Sequence, residues 1–339
     1  MSKLPQFYSD KSILVTGAAG SIGSEIVKKA LAQSAKVVRA FDNNETGLFD
    51  LEKQINSENL RILIGDIKDK DRCKRAIEGI DIVFHSAALK HVPLCEYNPF
   101  EAVKTNVIGT QNLIDAAIDE NVQKFITIST DKAVNPVNVL GATKLLGEKL
   151  TVSANFYKGN KRSVFSCVRF GNVLGSRGSV VFTFKEQIEA GGPVTITNND
   201  MTRFIMSISE AVDLILKAAN MAEGGEVFIL KMPAVKITDL AEVLIEELSI
   251  KNNQNPANIK VKTTGIRPGE KLHEELLTDP EASMTCEKDG ILVMDSAGFE
   301  RENGGFKKEC SINGYVSNKV TLLTKAEVKK VLMELRLLE

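Results

Sequence analysis

The sequence predicts an α/β fold, a doubly wound parallel sheet joined to a smaller C-terminal domain, and two observations predict it. Short β-branched runs alternate with longer helix-period segments through the first half of the chain. A glycine-rich turn separates the first run from the first helical segment. Candidate strands cover residues 12–16, 36–41, 60–64, 82–86, 124–129 and 163–169. Between them, segments 21–33 and 100–119 carry apolar residues every three or four positions, the period of a helix packed on one face. Six such repeats describe a Rossmann-type domain. Beyond Gly175 the rhythm breaks into loops at 175–178, 191–193 and 198–200, then returns at 208–221 and 226–230. Segments 252–256 and 300–305 read as exposed loops.

Composition narrows the function classes. A chain of 339 residues, 43% hydrophobic, buries a sizeable core. Its 43 basic and 44 acidic residues leave a net charge of -1, so no global field favours nucleic acid. The basic stretches 158–162 and 329–336 are interrupted and read as solvated faces. Five cysteines (Cys73, Cys95, Cys167, Cys286, Cys310) are scattered without CxxC pairs or a histidine at ligand spacing, which predicts reduced thiols and no metal. No apolar leader segment and no run of eighteen apolar residues is present, so a cytoplasmic protein without a membrane partner is expected.

The run ILVTGAAGSIGSEI sets Gly17, Gly20 and Gly23 between an apolar strand and an amphipathic helix opened by Ser21 and Ile22. The first glycine permits a tight turn, the second lets backbone amides approach a pyrophosphate, and the third allows close helix-on-sheet packing. Unpaired N–H groups at the helix start then face the phosphates. Asp42 ends the next strand, where a carboxylate hydrogen-bonds ribose hydroxyls and repels a 2′-phosphate, so NAD is expected over NADP. Arg39 and Lys36 on the same strand offset that repulsion in principle. Asp66 reads either as a contact to the adenine edge or as a helix N-cap. Residues 1–174 and 204–236 are thereby assigned to an NAD-binding domain, and 175–203 and 237–339 to a substrate domain.

Five motifs occur in order: TGAAGSIG, HSAALKHVPLCEYNP, STDKAVNPVNVLGATK, RFGNVLGSRGSV and TGIRPGEKLHEELL. Together they resemble the extended short-chain dehydrogenases, and within them the polysaccharide-biosynthesis group of UDP-N-acetylglucosamine 4,6-dehydratases, from about Lys11 to about Leu277. The resemblance implies hydride abstraction from sugar carbon 4, loss of water across carbons 5 and 6, and return of the hydride to carbon 6. It implies that Thr130 contacts the carbon-4 oxygen, that Lys144 binds the nicotinamide ribose, and that Asp131 and Lys132 are the acid and base of elimination. Ala87 joins the implied cofactor set. A carbon-4 ketone acidifies the carbon-5 proton, and a Lys132 whose pKa is lowered by Lys144, NAD+ and burial would remove it. Asp131, kept protonated by burial, would protonate the departing hydroxyl.

One departure stands out. Four residues before Lys144, where YxxxK enzymes carry a proton-transferring phenol, this chain has Leu140. Water relayed through Thr130 or Asp131 is the expected substitute, and a catalytically dead NAD-sensing protein is the alternative. Lys90 and His91 follow the fourth strand and are expected at the ligand-binding edge of the sheet; a histidine packed on Pro93 is the other reading of His91. The resemblance places Asn172 beside the sugar diphosphate. Arg203 and Arg267 are expected to clamp the UDP phosphates, with structural ion pairs as the alternative, and Glu270 joins the substrate set. Lys271, His273 and Glu274 are secondary candidates, whereas His85 reads as a satisfied core histidine. The apolar stripes of segments 100–119 and 138–153 imply, by resemblance, a homodimer or larger homo-oligomer. The expected function is an NAD-dependent UDP-N-acetylglucosamine 4,6-dehydratase. Leu140 and Phe41-Asp42 resemble the branch that retains configuration at carbon 5. A 5-inverting dehydratase, a nucleotide-sugar 4-epimerase and a non-catalytic NAD-binding regulator are the alternatives.

Overall fold

Six parallel strands follow the expected order in the computed structural model, which describes residues 6–296 and 312–339. They are β1 (Ser12–Thr16), β2 (Val37–Asp42), β3 (Leu60–Ile64), β4 (Ile82–His85), β5 (Lys124–Ile128) and β6 (Val164–Arg169). β1 is apolar along its length because it is buried on both faces: Ile13, Leu14 and Val15 have no exposed surface. The helices between strands are α1 (Ser21–Ala32), α2 (Glu45–Ile55), α3 (Lys70–Ile77), α4 (Val92–Tyr97), α5 (Pro99–Val103), α6 (Gly109–Asp119) and α7 (Val139–Tyr157). Segment 300–305 and Cys310 lie outside the described residues.

The sheet order is β6-β5-β4-β1-β2-β3, so the winding reverses between β1 and β4. That reversal opens a crevice at the carboxyl ends of these strands, the place where such sheets bind ligands. Beyond β6 the sheet continues with Glu226–Leu230, parallel to it, then with Ile291–Asp295, antiparallel to that strand, and last with Thr285–Lys288, antiparallel to Ile291–Asp295. A second apolar core, including Leu174, Val181, Phe184, Ile205, Leu244 and Leu332, gathers residues from 174–205 and from 235–337. Among the described residues no helix is long and apolar enough to cross a membrane.

The predicted single helix over 100–119 is interrupted. A π-helical turn, Lys104–Ile108, separates α5 from α6. The extra residue in that turn is stabilised by a buried side chain: Asn106 accepts from the Leu89 amide at 2.8 Å and donates to the Leu89 carbonyl at 3.1 Å and Thr143 Oγ1 at 3.0 Å. The bulge thus ties the segment after β4 to α7, a placement common for π-turns at functional sites. Hydrophobic periodicity does not announce it, because one added residue moves the apolar stripe by a single position, within the three-or-four spacing that reads as one helix.

Candidate active site

A cleft of about 910 Å³ lies at the β1–β4 reversal and is lined from the glycine turn at one end to Lys132 and Arg203 at the other. Gly17, Gly20, Ser21, Ile22, Gly23, Asp42, Asp66, Ala87 and Lys144 all line it. Gly17 has φ +67°, and a Cβ there would sit 2.7 Å from the Ala87 amide nitrogen, so only glycine closes this turn against β4. Asp42 is fixed at the end of β2 by accepting from the amides of Ala19 at 2.9 Å and Asn44 at 2.9 Å. Asp66 caps its own turn through the Lys68 amide at 2.9 Å, whereas the N-cap of α3 is Asp69. Arg39 points the other way, donating to the carbonyls of Ala76 and Glu78 at the end of α3. A glycine cradle, a helix N-terminus and a carboxylate at the tip of β2 together fit a dinucleotide.

The cleft's roof is a loop that ties the two ends of the site together. Arg177 donates its amide to Ser21 Oγ at 3.1 Å, and Lys90 Nζ donates to the Arg177 carbonyl at 2.6 Å. Gly178, at φ +72°, packs on His91: a Cβ there would sit 2.8 Å from the ring. His91 therefore packs against this loop rather than only on Pro93. Arg177 was not singled out in the sequence, although it lies within the RFGNVLGSRGSV motif.

At the other end, Thr130, Asp131 and Lys132 follow β5 on a short 3-10 turn. Thr130 Oγ1 donates to Asp131 Oδ1 at 2.7 Å, and Lys132 Nζ donates to the same oxygen at 3.0 Å and to Asn172 Oδ1 at 3.3 Å. Lys132 is also 3.5 Å from Glu274 Oε1. Thr130 and Lys132 line the cleft; Asp131 has no exposed surface, lies behind them, and keeps one buried oxygen, Oδ2, without a hydrogen-bond partner. The expected lowering of the Lys132 pKa is corrected. Burial does oppose its charge, but the Asp131 and Glu274 carboxylates outweigh burial and the nearby Arg203, and hold the ammonium above the ordinary lysine value. Lys144, one end of α7, is lowered by burial against the weaker pull of Glu148 and Cys167, and donates to the Ile128 carbonyl.

Leu140 lines the same cleft while packing on Cys95 and Ala102, so no proton-transferring group stands at its position. Thr105, on the π-turn, and Ser129 line the wall as well; neither was singled out in the sequence. Thr105 showed only as a polar residue inside an apolar stripe, and Ser129 as the first residue of the STDK motif. Arg203 reaches the cleft, but its guanidinium donates to the carbonyls of Thr202 at 2.8 Å, Leu272 at 3.1 Å and Lys271 at 2.8 Å, and it lies near Glu274 and Glu270. This is the ion-pair arrangement weighed from the sequence. Arg267 and Glu270 lie outside the lining; the Arg267 amide donates to Glu270 Oε2 at 3.2 Å, closing the loop on itself. His85 is satisfied by Thr16 Oγ1 and Thr110 Oγ1, both at 2.9 Å, and burial pushes it down to about 3, a neutral core histidine.

Residues 13–296 match the family described as polysaccharide biosynthesis protein. The chain belongs to that family. Members and relatives differ in the names they carry. The chain is 60% identical, over 98% of both chains, to a Methanocaldococcus jannaschii protein named uncharacterized membrane protein MJ1061. It is 43% identical to a Campylobacter jejuni UDP-N-acetylglucosamine 4,6-dehydratase (inverting), covering 83% of this chain and 81% of that one. A Rickettsia akari UDP-glucose 4-epimerase is 36% identical over 97% of both. Among solved structures, Pen from Bacillus thuringiensis is 41% identical with a TM-score of 0.91, covering 98% of this chain and 100% of that one. The polysaccharide-biosynthesis fold is therefore a nucleotide-sugar scaffold on which relatives named dehydratase and epimerase both occur.

Proposed function

We propose that this family member is an NAD-dependent UDP-N-acetylglucosamine 4,6-dehydratase. The observation that carries the reading is the Thr130–Asp131–Lys132 cluster, an acid–base pair facing the cleft through two of its three members. Epimerisation at carbon 4 returns a hydride to the carbon it left and needs no second acid and base. NAD is the cofactor: Asp42 occupies the ribose end of the cleft, and Arg39, the cation that would receive a 2′-phosphate, is turned to α3. When bound, NAD supplies a reversible hydride acceptor.

The chain's own groups move the protons. Lys132 starts charged and 3.0 Å from the Asp131 carboxylate, so shifting one proton between them gives a neutral amine and a carboxylic acid without changing the net charge. The amine takes the carbon-5 proton, acidified by the carbon-4 ketone. The acid, which has no surface of its own, passes its proton through the Thr130 hydroxyl to the departing carbon-6 oxygen, and water leaves. With the hydride returned to carbon 6, Lys132 gives its proton back to carbon 5, and the proton that left the carbon-4 hydroxyl, held meanwhile by water beside Thr130, restores the charged pair. Lys144, which donates to the Ile128 carbonyl at the cleft wall, would hold the nicotinamide ribose when the dinucleotide is bound. Exposed Leu146, Phe156 and Tyr157 on α7 support a homo-oligomer built on that helix.

Retention at carbon 5 is proposed because Leu140 and Asp42 take the places where the inverting pattern has tyrosine and a serine-arginine pair. The inverting names of two relatives at 43% and 44% identity favour the second reading, inversion. Proton NMR of fresh product decides between them. Coupling constants of the D-xylo 4-keto-6-deoxy sugar are expected, and an L-arabino pattern ahead of any non-enzymatic epimerisation contradicts retention.

A further inference from the structure

Glu274 lies in the RPGEKLHEE segment, far from the catalytic turn in sequence, yet its side chain reaches the back of it. It is 3% exposed. Its backbone is clamped in both directions by Ser317: the Glu274 amide donates to Ser317 Oγ at 2.9 Å, and the Ser317 amide donates to the Glu274 carbonyl at 2.8 Å. Oε1 lies 3.5 Å from Lys132 Nζ and 3.6 Å from Arg203 Nε, while Oε2 is buried with no hydrogen-bond partner. Burying a carboxylate with one bare oxygen costs free energy unless the charges around it repay that cost. Those charges are named by the geometry: Lys132 and Arg203 face Glu274, Asp131 faces Lys132 from the other side, and Glu270 lies 3.7 Å from Arg203.

We propose that Glu274 is a positioning residue that shares the Lys132 ammonium with Asp131 and so sets when Lys132 gives up its proton. Two carboxylates on one ammonium fix Nζ between the catalytic turn and Asn172, at the edge of the cleft. They also keep the amine protonated until the sugar is in place. A neutral lysine beside a 4-keto sugar is a nucleophile that condenses with the carbonyl, whereas an ammonium is not. Glu274 thereby separates the base that elimination needs from a Schiff-base side reaction. Arg203, held by three backbone carbonyls, balances the second carboxylate without competing for Lys132.

The inference rests on the reading of Lys132 as the proton-transfer group, but its test needs no turnover, so a wrong reaction class leaves it standing. The cofactor-loaded protein is labelled with 13C at lysine Cε, the Lys132 signal is assigned from a Lys132→Arg variant, and the signal is titrated with pH. Wild-type Lys132 is expected to titrate above the ordinary lysine value of about 10.4. In Glu274→Gln, which keeps the side-chain volume, the midpoint moves to lower pH by about one unit or more, as expected for losing an opposite charge at this range. Glu274→Asp, which keeps the charge, moves it less. A Gln midpoint equal to wild type overturns the proposal, as does a wild-type Lys132 that titrates at or below the ordinary value, a result that needs no Glu274 variant to fold.

Discussion

Asp131→Asn and Lys132→Ala are each expected to lower the rate of water loss by ~100- to 10,000-fold, the usual cost of removing one general acid or base. Lys132 lines the cleft at the far end from the glycine turn and Asp42, and Asp131 lies behind it, so bound dinucleotide is expected to be unchanged. The geometry makes the two losses distinct. Lys132→Ala removes the ammonium that Asp131 and Glu274 share, leaving Glu274 with Arg203 and Asp131 with the Thr130 hydroxyl. Asp131→Asn leaves Lys132 paired with Glu274 but takes away the group that hands a proton to Thr130. Single-turnover assays with equal cofactor content check both, and near-normal turnover in either variant contradicts the acid–base assignment.

The second large effect is on stability. Arg169, 1% exposed at the end of β6, donates to Glu148 at 3.0 and 2.7 Å, to Glu281 at 3.1 and 3.2 Å, and to the Leu276 carbonyl at 2.9 Å. Burial opposes its charge, but Glu148 first and then Glu281 more than restore it. Glu148 lies on α7 one turn beyond Lys144, so this pair fastens the helix that carries Lys144 to the sheet. Glu148→Ala removes two charge-assisted hydrogen bonds and leaves Arg169 Nε without an acceptor in the interior, an expected cost of ~3–5 kcal/mol at ~1.5–3 kcal/mol per bond. That is a large share of the ~5–15 kcal/mol by which a typical domain is stable. Urea unfolding of the holo protein reads the loss as a lower midpoint; an unchanged midpoint contradicts the assignment of Arg169 to a buried, structurally required pair.

Much of the frame was legible in the chain. β1, β4 and β5 declare themselves because central strands buried on both faces are mostly apolar, and the glycine turn because φ +67° and contact with Ala87 admit nothing larger at position 17. Local patterns of this kind are written in consecutive residues. What stayed hidden depends on contacts distant in sequence. The π-turn at 104–108 is set by Asn106 meeting Leu89 and Thr143, partners 17 and 37 residues away. The charge on Lys132 is set by Glu274, 142 positions later, which the sequence offers only as a secondary candidate; reasoning from Lys144 and burial alone therefore predicts the wrong direction for its pKa. Arg203 carries the chemistry of a phosphate clamp, yet its guanidinium donates to backbone carbonyls that periodicity does not place nearby. Strand and turn signals are short-range; the electrostatics of the site are assembled by the fold.

Removal of water from a nucleotide sugar is the reaction expected of the cleft. The most direct measurement is the mass of the sugar nucleotide after incubation of the purified protein, carrying its own dinucleotide, with UDP-N-acetylglucosamine, with chromatography to separate epimers. A product lighter by one water, formed without added oxidant because the hydride is returned within each turnover, is the predicted result. A product of unchanged mass that separates as the 4-epimer, or untouched substrate in the presence of a full complement of bound NAD, contradicts it.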